Sequence, residues 1–149
     1  MTTYDRALVL ARRGQIITTF ALLGLVGVFI RALAFTPIER TQGPAQKIFY
    51  VHAPAAWGAL LAFAIAGILS LTYLWLKDRK IDAIAAASAE VGLALSIAML
   101  TTGPIWGKTV WGTWWSWDAR LTSTLFIFLL FIGYRVLRGA IVDPETRAR

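Results

Sequence analysis

The stretch AAWGALLAFAIAGILSLTYLWL, Ala55 to Leu76, carries no charged residue and is about as long as the ~20 apolar residues that cross a hydrocarbon core as a helix. Its apolar residues form a run rather than a stripe at amphipathic spacing, so the expected neighbour is lipid and not a water-facing core. Three further segments read the same way, over about 16–35, 83–102 and 121–137. Inside a bilayer a helix satisfies its own backbone groups, so the expected fold class is an all-α integral membrane protein with about four transmembrane helices. Gly24, Gly27, Gly67 and Gly92 lie within the spans and permit close helix contact.

Composition supports the same reading. Of the 149 residues 58% are hydrophobic and 15% charged, against roughly 25% charged in a soluble domain. Cys is absent, which excludes disulfides, thiolate metal sites and thioether attachment of heme to this chain. A single His leaves no imidazole cluster for zinc. No internal repeat, low-complexity tract or linker divides the chain, so 1–149 reads as one transmembrane domain.

The net charge of +7 is placed as a topogenic signal. If the chain alternates across the bilayer, Arg6, Arg12, Arg13, Lys77, Arg79, Lys80, Arg135, Arg138, Arg147 and Arg149 fall on one side. Arg40, Lys47, Lys108 and Arg120 fall on the other, and Arg31 lies near the outer end of the first span. This asymmetry predicts cytoplasmic termini and assigns no nucleic-acid role to the charge. The basic N-terminus, apolar run and Ala32-Leu33-Ala34 resemble a secretory signal, but the run is longer than a signal core and Arg31 precedes the cleavage site. A retained first span is expected.

Two outward loops follow, over 36–54 and 103–120. The second contains five of the seven Trp residues: Trp106, Trp111, Trp114, Trp115 and Trp117. One Trp would be read as an interfacial anchor. Five together suggest an aromatic platform for a large planar apolar ligand. In a short helix, Trp111, Trp114, Trp115 and Asp118 would share a face. Gly107 and Gly112 allow sharp turns or close backbone approach. His52, in the first loop, is expected on the same membrane face. A lone His is more often a loop residue or hydrogen bonder, yet neutral imidazole is also an axial ligand for heme iron. Pro54 is expected to open the second helix. Asp118 suits a helix cap, and Arg120 a pairing with Asp118 or with a heme propionate. Glu90, inside the third span, is costly in lipid and is read either as a packed, hydrogen-bonded acid or as functional; its depth disfavours a pair with Arg31.

The stretch Trp111-Gly-Thr-Trp-Trp-Ser-Trp-Asp118, followed by Ala-Arg-Leu-Thr-Ser123, resembles the WWD motif of the heme-handling superfamily, and within it the heme exporter protein C (cytochrome c maturation protein C) family. Thr102-Gly-Pro-Ile-Trp-Gly107 and Tyr50-Val-His-Ala-Pro54 are similar to the same family, and the likeness extends from Lys47 to about Arg138.

The resemblance implies a heme delivery protein of the bacterial inner membrane and no enzyme. Heme b would be the carried ligand, held at the outer face and passed to a heme chaperone, cytochrome c maturation protein E. The implied partners are an ABC transporter of maturation proteins A and B, and the small membrane protein D. It gives His52 the role of an axial ligand, and makes Trp111, Trp114, Trp115, Trp117 and Asp118 the platform that contacts heme and chaperone; Trp106 and Arg120 are expected beside them as further heme-binding residues. It also implies six spans and a second outward His, where this sequence has four spans and one His. A fragment or a short natural variant is the expectation, with a partner-supplied ligand as the third account. A lyase-like subunit and a purely structural membrane subunit are the competing function classes.

Overall fold

A computed structural model describes residues 3–148; Arg149, counted among the basic residues above, lies outside them. The described chain is helical: α1 (Thr3–Phe35), a 3-10 turn (Pro44–Ile48), α2 (Phe49–Leu76), α3 (Arg79–Trp111), α4 (Ala119–Ala140) and the short α5 (Pro144–Arg147). Four of these helices, α1 to α4, are long and apolar enough to cross a membrane. The protein is therefore a multi-pass, all-α membrane protein.

The chain divides into two units, residues 1–39 and 40–149. The first is the single long helix α1, whose large apolar side chains are exposed along its length. The second holds α2, α3 and α4. Many of its large side chains, such as Leu61, Trp75 and Leu129, also point outward, while its buried positions are mostly small, with Phe63 and Tyr73 the large exceptions. That inversion of a soluble core is what lipid-facing helices require, because lipid is as apolar as any Leu and gives helices no hydrophobic reason to associate.

Two residues turn the chain from α2 into α3. Lys77 adopts a left-handed conformation (φ 52°) and donates its N–H to the Tyr73 carbonyl, ending α2. Asp78 then caps α3, its carboxylate accepting the Lys80 N–H at 2.8 Å. So short a connection makes the helices antiparallel neighbours. Eight of their small buried residues share one spacing: Ala55, Ala59, Ala62 and Ala66 on α2, and Ala85, Ala89, Gly92 and Ser96 on α3. Small residues at this spacing let the backbones approach and gain dispersion contact. Cross-helix neighbours run in opposite senses: His52 with Gly103, Leu95 with Gly58, and Phe63 with Gly92.

Helix α4 leans on this pair differently, with no buried residue of its own. Phe131 stacks on Phe63 at 4.0 Å between centroids and 16° between planes. Arg135 pairs with Glu90 at 2.8 Å, and Arg138 with Asp82. Glu90 thus finds its cation on α4, a partner not foreseen from the sequence.

Two boundaries differ from the sequence expectation, both at the end where His52 lies. Helix α2 begins at Phe49, directly after the 3-10 turn, so Pro54 sits inside the helix rather than opening it. Helix α3 continues through Gly103 and Pro104 to Trp111. Each proline forfeits one backbone hydrogen bond, but membrane helices tolerate that loss, so neither acts as a stop.

Candidate functional site

Antiparallel packing brings three termini to one end of the second unit: the first turn of α2, the last turns of α3 and the start of α4. His52 projects from the first. Trp106 and Trp111 project from the second. The connection 112–118 carries Trp114, Trp115 and Trp117 across to the third. It begins with Gly112 in the left-handed region (φ 78°), whose N–H returns to the Lys108 carbonyl while Lys108 Nζ donates to the Gly112 carbonyl at 2.9 Å. A Cβ at Gly107 would lie 3.4 Å from the Thr113 carbonyl oxygen, so glycine there lets the connection fold back against α3. Asp118 starts α4 as an N-cap, its carboxylate accepting the Leu121 N–H at 2.9 Å and the Ser116 hydroxyl at 2.7 Å. These donors, the Leu121 N–H first, hold the Asp118 carboxyl below the usual carboxylate range.

Between the three helices and the connection lies a cavity of about 380 Å³. That is within the roughly 300–1,000 Å³ typical of sites for small molecules and cofactors. His52, Trp106, Trp111, Trp114, Trp115 and Arg120 all line it. Its deeper walls are Ala59, Phe63, Met99 and Leu100, with Ser96 as a buried polar spot. An apolar body with a few convergent polar groups is the usual composition of such sites.

The rings do not form one continuous sheet. His52 and Trp106 lie 5.7 Å apart at 48°, and Trp106 and Trp111 lie 5.4 Å apart at 51°. Trp115 and Trp117 make a separate edge-to-face pair at 5.8 Å. Residues 113–118 form no helix, so the shared helical face for Trp111, Trp114, Trp115 and Asp118 is not what the structure builds. Trp117 instead lines a smaller hollow with Leu100, Pro104 and Leu125, and Asp118 serves the cap. Six of the eight residues singled out from sequence therefore surround one cavity, and two stand beside it.

Other residues complete the site. Gln42 accepts the Trp106 indole N–H at 3.1 Å and fixes that ring. Thr102 contacts His52 Nδ1 at 3.2 Å. The Trp115 indole N–H is buried without a hydrogen-bond partner among the described residues, a donor beside the cavity awaiting an acceptor. Sequence reasoning named none of these contacts.

The family model for heme exporter protein C matches residues 4–149. The heme exporter protein C of Haemophilus influenzae is 41% identical over 91% of this chain and 56% of its own length. That of Bradyrhizobium diazoefficiens is 40% identical over 83% of the chain and 46% of its own length. A putative cytochrome c biosynthesis ccmC-like mitochondrial protein of Marchantia polymorpha is 35% identical over 82% of the chain and 54% of its own length. The chain spans about half the length of the curated relatives it matches. With a family model covering it from residue 4 to its end, and with these relatives, the chain belongs to the heme exporter protein C family.

Proposed function

We propose that this chain holds heme as cargo at the outer face of the bacterial inner membrane and hands it to a heme chaperone during c-type cytochrome maturation. The observation that carries the reading is one cavity shared by the sole imidazole and four indoles. Heme has a flat apolar body, an iron with axial positions and two carboxylates at one edge. His52 offers the axial nitrogen. Trp106, Trp111, Trp114 and Trp115 offer ring faces and edges to the porphyrin. Arg120 at the rim, and the unpartnered Trp115 N–H, suit the propionates. The cargo is heme b in this reading, and beyond reversible axial ligation no covalent bond of the heme is made or broken by the chain, so its role is delivery and not catalysis.

Orientation follows from charge. In the second unit Lys77, Arg79, Lys80, Arg135 and Arg138 gather toward the end away from the cavity. The positive-inside rule puts that end in the cytoplasm and the cavity outside. Working partners in this reading are cytochrome c maturation protein E as acceptor, the ABC transporter of maturation proteins A and B, and the small membrane protein D. One imidazole per chain means that any second axial ligand comes from elsewhere.

Purified protein titrated with heme tests this. The expected result is a Soret band that His52→Ala shifts and weakens. Absence of any specific band in the wild type would leave only a structural role for the indoles. Thioether formation on an added apocytochrome would move the protein to the lyase class.

A further inference from the structure

We propose that Thr102 and Gly103 fix the tautomer and seat of His52, so that Nε2 is the nitrogen presented to heme iron. This deepens the heme reading and rests on it for the identity of the metal, but its nitrogen assignment stands on geometry alone.

The assignment comes from following one proton. Thr102 Oγ1 lies 2.6 Å from the Ala98 carbonyl oxygen. A carbonyl has no hydrogen to give, so a separation that short places the hydroxyl proton on the line to Ala98. The hydroxyl that faces His52 Nδ1 at 3.2 Å then has only lone pairs to offer. Nδ1 must be the donor, which leaves Nε2 of the neutral ring bare. Gly103 sets the position. A Cβ built there would lie 2.9 Å from His52 Cε1 and 3.4 Å from Nδ1, but 4.0 Å from Nε2. The Nδ1–Cε1 edge of the ring therefore rests against α3, and Nε2 is the nitrogen farther from that backbone. Any side chain at 103 would push the ring off this seat. A hydrogen bond from the second ring nitrogen of a metal-bound imidazole holds its orientation and raises its basicity, and losing such a partner typically costs about 10–100-fold in metal affinity.

The sequence makes the test clean, because the chain has one histidine. Protein labelled with 15N-histidine is examined without heme, at alkaline pH where the ring is neutral. The wild type is expected to show a protonated Nδ1 and a bare Nε2. Thr102→Val keeps the shape but removes this acceptor, leaving the Met99 backbone as the ring's other hydrogen-bond partner, and is expected to raise the share of ring protonated on Nε2. Thr102→Ser should restore the wild-type pattern. Heme titrations of the same proteins should show affinity falling by about 10–100-fold in Thr102→Val and in Gly103→Ala, with Thr102→Ser close to wild type. A protonated Nε2 in the wild type, or a Thr102→Val ring identical to it, overturns the proposal. If heme binding ignores His52→Ala while the nitrogen pattern holds, the heme reading fails and the tautomer assignment remains. Circular dichroism of each variant confirms that α2 and α3 are intact.

Discussion

Arg138 and Asp82 meet as a fork, the two terminal guanidinium nitrogens 2.6 and 2.9 Å from the two carboxylate oxygens. The pair joins α4 to α3 at the end remote from the cavity, and both side chains are largely shielded, at 10% and 17% exposure. Paired hydrogen bonds of this kind fix an angle as well as a distance. Since α4 buries no residue of its own, it is held by such specific contacts, this fork together with the Phe131–Phe63 stack and the Arg135–Glu90 pair. Arg138→Ala is expected to lower stability by about 1.5–3 kcal/mol, the range for hydrogen bonds between charged groups. Arg138→Lys should lose part of that, because an ammonium keeps the charge without the fork. Reversible denaturation in mixed micelles reads both.

Gly92 carries a second attachment at one remove. A Cβ there would sit 2.5 Å from two carbons of the Phe63 ring, and that ring is stacked on Phe131. The phenyl group cannot retreat without breaking the stack. Gly92→Ala should therefore destabilise the α2–α3–α4 packing by roughly 1–3 kcal/mol, as overpacked interiors do. The same unfolding assay checks it, and Gly67→Ala, with open space around its Cβ position, is the neutral control.

Asp118 gives the connection an acid-sensitive anchor. Its carboxyl is held below the usual carboxylate range, first by the Leu121 N–H and then by the Ser116 hydroxyl. A pKa lowered by folding contributes stability that is fully present above the unfolded-state value and is lost as pH falls through the lowered folded-state value. Fraying of the first turn of α4 is thus expected only on the acid side of the normal carboxylate range. Hydrogen exchange of the Leu121 amide against pH measures it. In Asp118→Asn the amide should stay protected with no acid step, since Asn also caps helices.

The indoles divide by which hollow they face. Trp111 lines the main cavity and touches Trp106, whereas Trp117 lines the smaller one beside it. Trp111→Ala should weaken heme binding by roughly tenfold, the factor that about 1.4 kcal/mol of lost contact produces. Trp117→Ala should change it much less. Equal losses in the two variants, measured by heme titration, would show that the connection rearranges around the ligand.

Much of this arrangement was legible in the residues. The spans followed from runs such as 55–76, because hydropathy over twenty residues is a strong signal. Placing His52 and the Trp cluster at one end followed from chain alternation alone. What escaped was local. Pro54 and the Gly103-Pro104 pair read as boundaries, yet both lie inside helices, since neighbouring helices compensate a missing N–H in lipid. Once α3 ran on to Trp111, the ring directions changed. Past Gly112 no helical period governs the chain, so nothing in the sequence could say that Trp115 would face the cavity and Trp117 its neighbour. The Thr102 contact with His52 joins residues fifty positions apart and needed the helix pairing first.

The stacked phenyl rings have a further consequence. The cavity wall ends at Phe63 on α2, Ser96 on α3 and Ile127 on α4, and none of its lining lies beyond these residues toward the Lys77–Asp78 turn. Within the second unit this is a cup with a floor, not a tube. Whatever rests in it is therefore held at one end of these three helices, with no path along their axes to the other end.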